Sequence, residues 1–228
     1  KVFQVAFVFI GTIVGAGLAS GKEITNFFTV YGYKSFFTII MTGLFYIFLC
    51  NIISRISIKH SLNSYSEVIN TVSPNILGKL TGIITTFYLI SSASIILAGS
   101  GALLNQYFGI PKIIGSIFMA IIASLILMRE TDGLVEINSI IVPSLIIVTT
   151  TLMILYVIFA NDPITIGSLV SSTPKLSKGV FTSGILYCGY NILCCCGVIV
   201  PLSNEVKSKK IMTWGIILGS VLLTIICI

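Results

Sequence analysis

The stretch Phe9-Ile10-Gly11-Thr12-Ile13-Val14-Gly15-Ala16-Gly17-Leu18-Ala19-Ser20-Gly21-Lys22-Glu23 puts four glycines within eleven residues of an apolar run and follows them with a lysine and a glutamate. Each glycine in a helix interior costs about 1 kcal/mol against alanine, and ionisable groups are expensive in hydrocarbon. A plain lipid-facing helix has nothing to offset this. Two readings do. Gly11 with Gly15, and Gly17 with Gly21, have the small-xxx-small spacing that lets helices approach closely. Alternatively the helix unwinds near Gly15-Ala16-Gly17 and turns backbone N–H and C=O groups toward a ligand or ion at the membrane midplane.

The rest of the chain sets this stretch in a membrane. Of 228 residues, 56% are hydrophobic and 9% charged, and the mean hydropathy is +1.09. Soluble domains carry about 25% charged residues, so a water-soluble globular protein is excluded. Seven apolar runs stand out, at residues 2–30, 36–53, 80–104, 113–128, 137–159, 179–203 and 211–228, each near the roughly 20 residues that a helical span needs. They are continuous, not alternating as β-barrel strands are. The expectation is an all-α polytopic protein forming one transmembrane domain over residues 1–228.

Lysine and arginine concentrate in cytoplasmic loops. With the N-terminus inside, Lys1, Arg55, Lys59, Lys79, Arg129, Lys207, Lys209 and Lys210 fall inside, against Lys34, Lys112, Lys175 and Lys178 outside. This predicts a cytoplasmic N-terminus in the bacterial cell membrane. The net charge of +6 is scattered singly between apolar runs, unlike the clustered basic face that binds nucleic acid, so no nucleic-acid partner is expected. Cys50, Cys188, Cys194, Cys195, Cys196 and Cys227 lie in or beside the runs, without disulfide or zinc spacing, and read as packing residues. The loop from Lys59 to Lys79 reads as a short amphipathic helix on the inner surface, and residues 161–178 as an outer loop. His60 reads as a solvated loop residue, and Asn138 and Pro143 as a helix start and a kink.

A second irregular span shares the features of the first. Within residues 179–203, Gly184 is followed by Tyr187-Cys188-Gly189-Tyr190-Asn191, then Gly197 and Pro201; an asparagine in mid-span is a polar group that hydrocarbon does not satisfy. In transporters built from inverted five-helix repeats, the first and sixth spans are corresponding helices, one opening each repeat, and their paired breaks form the binding site.

These two segments also carry a family resemblance. Gly11 to Ile24, with Phe27-Phe28 after it, resembles the first helix of the uncharacterised YkvI-type bacterial membrane proteins, distant relatives of the amino acid, polyamine and organocation transporters. The 187–191 segment resembles that family's sixth helix. Where the family usually carries Gln, this chain carries Lys22. The resemblance implies a LeuT-like 5+5 inverted repeat of ten core helices, of which this chain holds the first repeat (about 1–160) and two helices of the second (about 177–228), with helices 1 and 6 discontinuous. The chain then reads as an N-terminal fragment truncated in the seventh helix.

On that reading, Gly15, Ala16, Gly17, Ser20, Tyr187, Gly189, Tyr190 and Asn191 are expected to bind substrate. Tyr88 and Ser92 join them from the third span, whose small polar face of Ser91, Ser92, Ser94 and Ser100 otherwise packs on the first helix. The half-helix beginning near Leu18 points its positive end at an anionic group. Free carbonyls near Thr12, Ile13 and Val14 favour a cation, which the resemblance suggests is Na+. Lys22 and Glu23 either couple ions or protons or sit at the outer interface, the lysine snorkelling and the glutamate solvated. No other cofactor is expected. The expected function is secondary active transport of a small organic solute, an amino acid or amine, by alternating access. The alternative is a non-transporting sensor on the same fold. A membrane enzyme needs a nucleophile with a base, a carboxylate pair or a metal cluster, which one loop histidine and dispersed acids do not supply.

Overall fold

Helices follow one another along the chain as α1 (Val2–Ile13), α2 (Lys22–Phe27), α3 (Lys34–His60), α4 (Tyr65–Val72), α5 (Ile76–Phe108), α6 (Lys112–Leu127), α7 (Glu130–Phe159), α8 (Val180–Val206) and α9 (Lys209–Cys227), with a 3-10 turn at Thr29–Tyr31. The structure, a computed structural model, describes residues 1–15, 18, 21–32, 34–159 and 179–227. No β-strand occurs among them. The expected outer loop at 161–178 lies outside the described residues.

Five helices, α3, α5, α7, α8 and α9, are long and apolar enough to cross a membrane. The run at 113–128 becomes α6, whose 16 residues rise about 24 Å at 1.5 Å per residue, short of the roughly 30 Å hydrocarbon core. The run at 2–30 is divided between α1 and α2.

Glycine determines where these helices meet. A Cβ at Gly215 or Gly219 of α9 would run into Val5 and Phe9 of α1, and one at Gly184 of α8 into Thr38 of α3. Gly43 of α3 faces Thr224 of α9, and Gly101 of α5 faces Gly115 of α6. Without a hydrophobic driving force between helices in lipid, such close backbone approach is a main source of association. Accordingly, α3 packs most extensively on α8, α1 on α9, and α5 on α6.

Helices α1, α3, α8 and α9 form an inner bundle around Phe9, Ile10, Tyr46, Cys50, Tyr187, Cys195 and Ile216. About 39% of the apolar window of α3, α8 and α9 is buried, against 6% for α5 and 11% for α7. Exposed Ile83, Ile84, Phe87 and Ile90 line α5. In water this would be a severe penalty; in a bilayer it is the ordinary lipid-facing surface.

Polar groups stitch the C-terminal ends of α3 and α8. Ser57 Oγ donates to the Val200 carbonyl at 2.8 Å, and Ser203 Oγ to Ser54 Oγ at 2.9 Å. The amphipathic loop helix is realised as α4, with Ser64 Oγ accepting from the Glu67 N–H at 3.3 Å and the Glu67 carboxylate accepting from the Asn63 N–H at 2.7 Å. Such reciprocal capping specifies a helix start. His60 is exposed, at the last residue of α3. Cys50, Cys188, Cys195 and Cys227 are buried among the packed helices.

Three expectations are corrected. The sixth span does not break: α8 runs uninterrupted from Val180 to Val206. Asn191 satisfies its amide within its own helix, Nδ2 donating to the Tyr187 carbonyl at 3.0 Å, so unwinding would forfeit that bond. Asn138 does not start a helix, because α7 begins at Glu130 with Glu130 and Asp132 in its first turn, where acidic groups complement the helix dipole. The small polar face of α5 does not pack on α1; α5 pairs chiefly with α6 and α4, drawn there by the Gly101–Gly115 crossing.

Candidate functional site: the break in the first span

The first break is real, and its chemistry is local. At the end of α1 the Val14 N–H donates to the Ile10 carbonyl and the chain turns extended, with φ −76° and ψ 92°. The Gly15 N–H then folds back onto the Ile13 carbonyl at 3.0 Å. Leu18 is helical, and α2 starts at Lys22 behind Gly21, whose φ of 73° lies in the left-handed region that glycine adopts without steric cost. Ala16, Gly17 and Ser20 lie outside the described residues.

The glycines of the motif do different jobs. A Cβ at Gly11 would collide with the Asn138 side chain of α7, so Gly11 is a packing glycine. Nothing lies within 4 Å of a Cβ at Gly15 or at Gly189 of α8. These two therefore border open space.

Glu23, on the first turn of α2, is half-buried, while Lys22 is exposed; adjacent helical residues diverge by about 100°, which separates the two charges. Tyr190 Oη donates to Glu23 Oε2 at 3.1 Å, joining α2 to α8. Ser183 Oγ makes a second tie, donating to the Phe27 carbonyl at 2.8 Å. Tyr88 of α5 reaches the same place, its hydroxyl donating to the Tyr190 carbonyl at 3.4 Å and accepting from Cys194 Sγ at 3.7 Å.

Rings fill the space between α2 and α8. Phe27 lies 5.2 Å from Tyr187 and 5.7 Å from Tyr190, Phe28 lies 5.0 Å from Tyr187, and Tyr187 and Tyr190 meet edge to face at 5.3 Å. Tyr187 and Phe28 are each 1% exposed; Phe27 and Tyr190 are half-buried.

The structure thus gathers Glu23, Tyr88, Tyr187, Tyr190 and Asn191 in one region. It does not bring Lys22 to them. Ser92 is half-buried on α5, and Ser91 and Ser94 are exposed. Thr12 Oγ1 donates to the Val8 carbonyl at 2.7 Å, Ile13 is buried and Val14 half-buried. Phe27, Ser183 and Cys194 were missed in the sequence. The spacing of Glu23 and Phe27, four residues apart on one helix face, is the signal that could have found the first.

Cavities open elsewhere, two of them large. One of about 870 Å³ lies at the ends of α3, α6, α7 and α8, lined by Asn63, Arg129, Asp132, Pro201, Asn204 and Glu205. The other, about 630 Å³ between α4 and α5, is lined by Tyr65, Ile69, Lys79, Gly82 and Phe87. Among the described residues, no group of three or more His, Cys, Asp or Glu side chains is placed to hold a metal ion.

No family model matches the chain, and no solved structure matches it. It is 29% identical over 230 residues to the uncharacterized membrane protein YkvI of Bacillus subtilis (strain 168), an alignment covering 98% of this chain and 63% of that protein. It is 31% identical over 137 residues to the uncharacterized protein YyaD of the same organism, covering 60% of this chain and 39% of that one. The chain therefore spans less than two thirds of the length of these curated relatives. Five helices able to cross a bilayer and a similarity to YkvI along almost its whole length make it a multi-pass helical membrane protein similar to the YkvI-type proteins.

Proposed function

We propose that the chain belongs to a secondary active transporter of a small organic solute, an amino acid or amine, that works by alternating access and is coupled to Na+ or H+. The observation that carries this reading is the break in the first span, with α2 tied to α8 by Tyr190 and Ser183 while α1 packs chiefly on α9 and α7 and also on α8. The interruption after Ile13 separates a half packed mainly on α9 and α7 from a half tied to α8, which lets the span bend there. A broken helix at membrane depth is tolerated where its freed backbone is buried or lines a cavity, and in transporters it forms the solute site.

The LeuT-like 5+5 repeat supplies the frame for this reading, with α1 and α8 opening the two repeats, and the unbroken α8 departs from it. Gly15, Ala16, Gly17 and Ser20 on the break, with Tyr88, Ser92, Tyr187, Gly189, Tyr190 and Asn191, are assigned to the solute. Thr12, Ile13, Val14 and Glu23 are assigned to the coupling ion or proton, whereas the exposed Lys22 is not. The polar cavity at Asn63, Asp132, Asn204 and Glu205 is the inner vestibule in the orientation with the N-terminus cytoplasmic. No enzymatic activity is proposed.

Uptake of labelled solutes into proteoliposomes of the full-length protein tests this. Gradient-driven accumulation is expected with an inward Na+ or H+ gradient, and Tyr190→Phe should lower it at least tenfold by releasing α2 from α8. Uptake of no amino acid or amine under either gradient, or uptake unchanged when both are collapsed, overturns the proposal.

A further inference from the structure

The groove between α4 and α5 is independent of the break in the first span. Lys79 is the one charged residue of α5, in its first turn, and among the described residues it forms no ion pair. Around it the helix is apolar and open, with Ile76, Leu77, Leu80 and Ile84 all exposed. A lysine on such a surface lays its methylene stem along hydrocarbon and carries its ammonium to the headgroup level.

One side of this part of α5 is hollow. Small residues recur at every fourth position, Gly78, Gly82 and Thr86, and so share one face of the helix; the cavity of about 630 Å³ lies between that face and α4. Two contacts hold its walls. Tyr65 Oη and Thr86 Oγ1 are hydrogen-bonded at 2.7 Å, and the chain leaving α4 closes on α5 where a Cβ at Gly78 would meet the Ser73 carbonyl. Between them, nothing lies within 4 Å of a Cβ at Gly82. The lining runs from Gly78 to Ile90, about 18 Å of helix at 1.5 Å per residue, close to the roughly 15 Å that one leaflet contributes to the hydrocarbon core. Ile83, Phe87 and Ile90 of the lining belong to the exposed apolar surface of α5, so the groove opens sideways to lipid.

Its charge has one sign. Lys79 and, near the end of α4, Asn70 supply N–H donors to the lining. The first turn of α5 contains no acidic residue, and Glu67 of α4 is not on the lining, its carboxylate accepting from the Asn63 N–H. A zwitterionic headgroup would bring an ammonium for which the groove has no carboxylate; an anionic headgroup would not.

We propose that the groove between α4 and α5 binds one anionic phospholipid of the bilayer, an acyl chain lying along Gly82, Phe87 and Ile90 and the phosphate at Lys79. Basic pockets between membrane helices recognise lipid headgroups by the same chemistry. By filling the space at Gly82, the chain braces α4 against α5.

Phosphatidylglycerol and phosphatidylcholine with the same acyl chains differ in net headgroup charge, and glycerol 3-phosphate carries the charge without the chains. Each is titrated into the full-length protein in detergent, with retained lipid counted by native mass spectrometry and stability followed as Tm. One equivalent of phosphatidylglycerol should be retained, about fivefold more tightly than phosphatidylcholine, as one cation at an anionic headgroup provides, and should raise Tm. Glycerol 3-phosphate should not bind. Lys79→Gln should erase the preference for phosphatidylglycerol. Gly82→Leu, whose side chain enters the groove, should abolish retention, whereas Gly99→Leu on the same helix, also with nothing within 4 Å of its Cβ, should not. Equal retention of the two lipids by the wild type, an unchanged preference in Lys79→Gln, equal effects of the two leucine variants, or saturable binding of glycerol 3-phosphate overturns the proposal. So does a Tm lowered by Gly82→Leu without added lipid, which would mean that a further part of the protein fills the groove.

Discussion

At the residue scale, glycines of one motif carry opposite consequences. Gly11 is filled from the far side by Asn138, and Gly15 borders open space. Gly11→Ala forces a displacement in a packed crossing and should cost about 1–3 kcal/mol, seen as a lowered Tm in detergent. Gly15→Leu should leave Tm within a few degrees and abolish solute binding, because its side chain enters the space at the break. Equal loss of stability in both variants would mean that Gly15 is also a packing residue. The composition of the motif was legible in the sequence; the division of labour was not, because it depends on what stands opposite each glycine, and Asn138 is more than a hundred residues away.

At the element scale, two spans with similar sequence irregularities behave differently. The first is interrupted after Ile13, where Val14 and Gly15 are non-helical, whereas the sixth continues through Tyr187-Cys188-Gly189-Tyr190-Asn191. Breaking needs more than one glycine. In α8, Asn191 bonds back to the Tyr187 carbonyl and Gly184 is held against Thr38, so the helix retains its ladder; the first span instead gathers Gly11, Gly15, Gly17 and Gly21 within eleven residues. Backbone amide exchange should therefore be slow across residues 187–191 and faster at Gly15, past the end of α1, in nanodiscs. Rapid exchange at both segments would restore the paired break. The short amphipathic helix was readable beforehand because Ser64 and Glu67 act within one turn, and local capping needs no tertiary context.

At the scale of the whole molecule, the bundle of α1, α3, α8 and α9 is closed by small residues, whereas α5 and α7 present apolar faces outward. The crossing of α1 on α9 depends on Gly215 and Gly219, which meet Val5 and Phe9. Replacing both with Ile should separate the two helices and lower Tm sharply, by more than either single change alone. A matched pair of Ile substitutions at Gly189 and Gly197, which meet nothing within 4 Å, should leave Tm nearly unchanged. Thermal denaturation followed by intrinsic fluorescence separates the two cases, and equal losses would refute the packing assignment.

The sequence alone determined that this is a helical membrane protein and that the first span is irregular. Those properties follow from hydropathy, from length against bilayer thickness and from glycine's intrinsic cost, all of which act within a short stretch of chain. Only the tertiary structure decided that the sixth span stays whole, that Glu23 meets Tyr190 while Lys22 does not, that Phe27 joins the tyrosines, and which glycines pack. Each of these depends on the register of one helix against another, and that register is set by the fit of side chains far apart in the chain, which hydropathy does not encode.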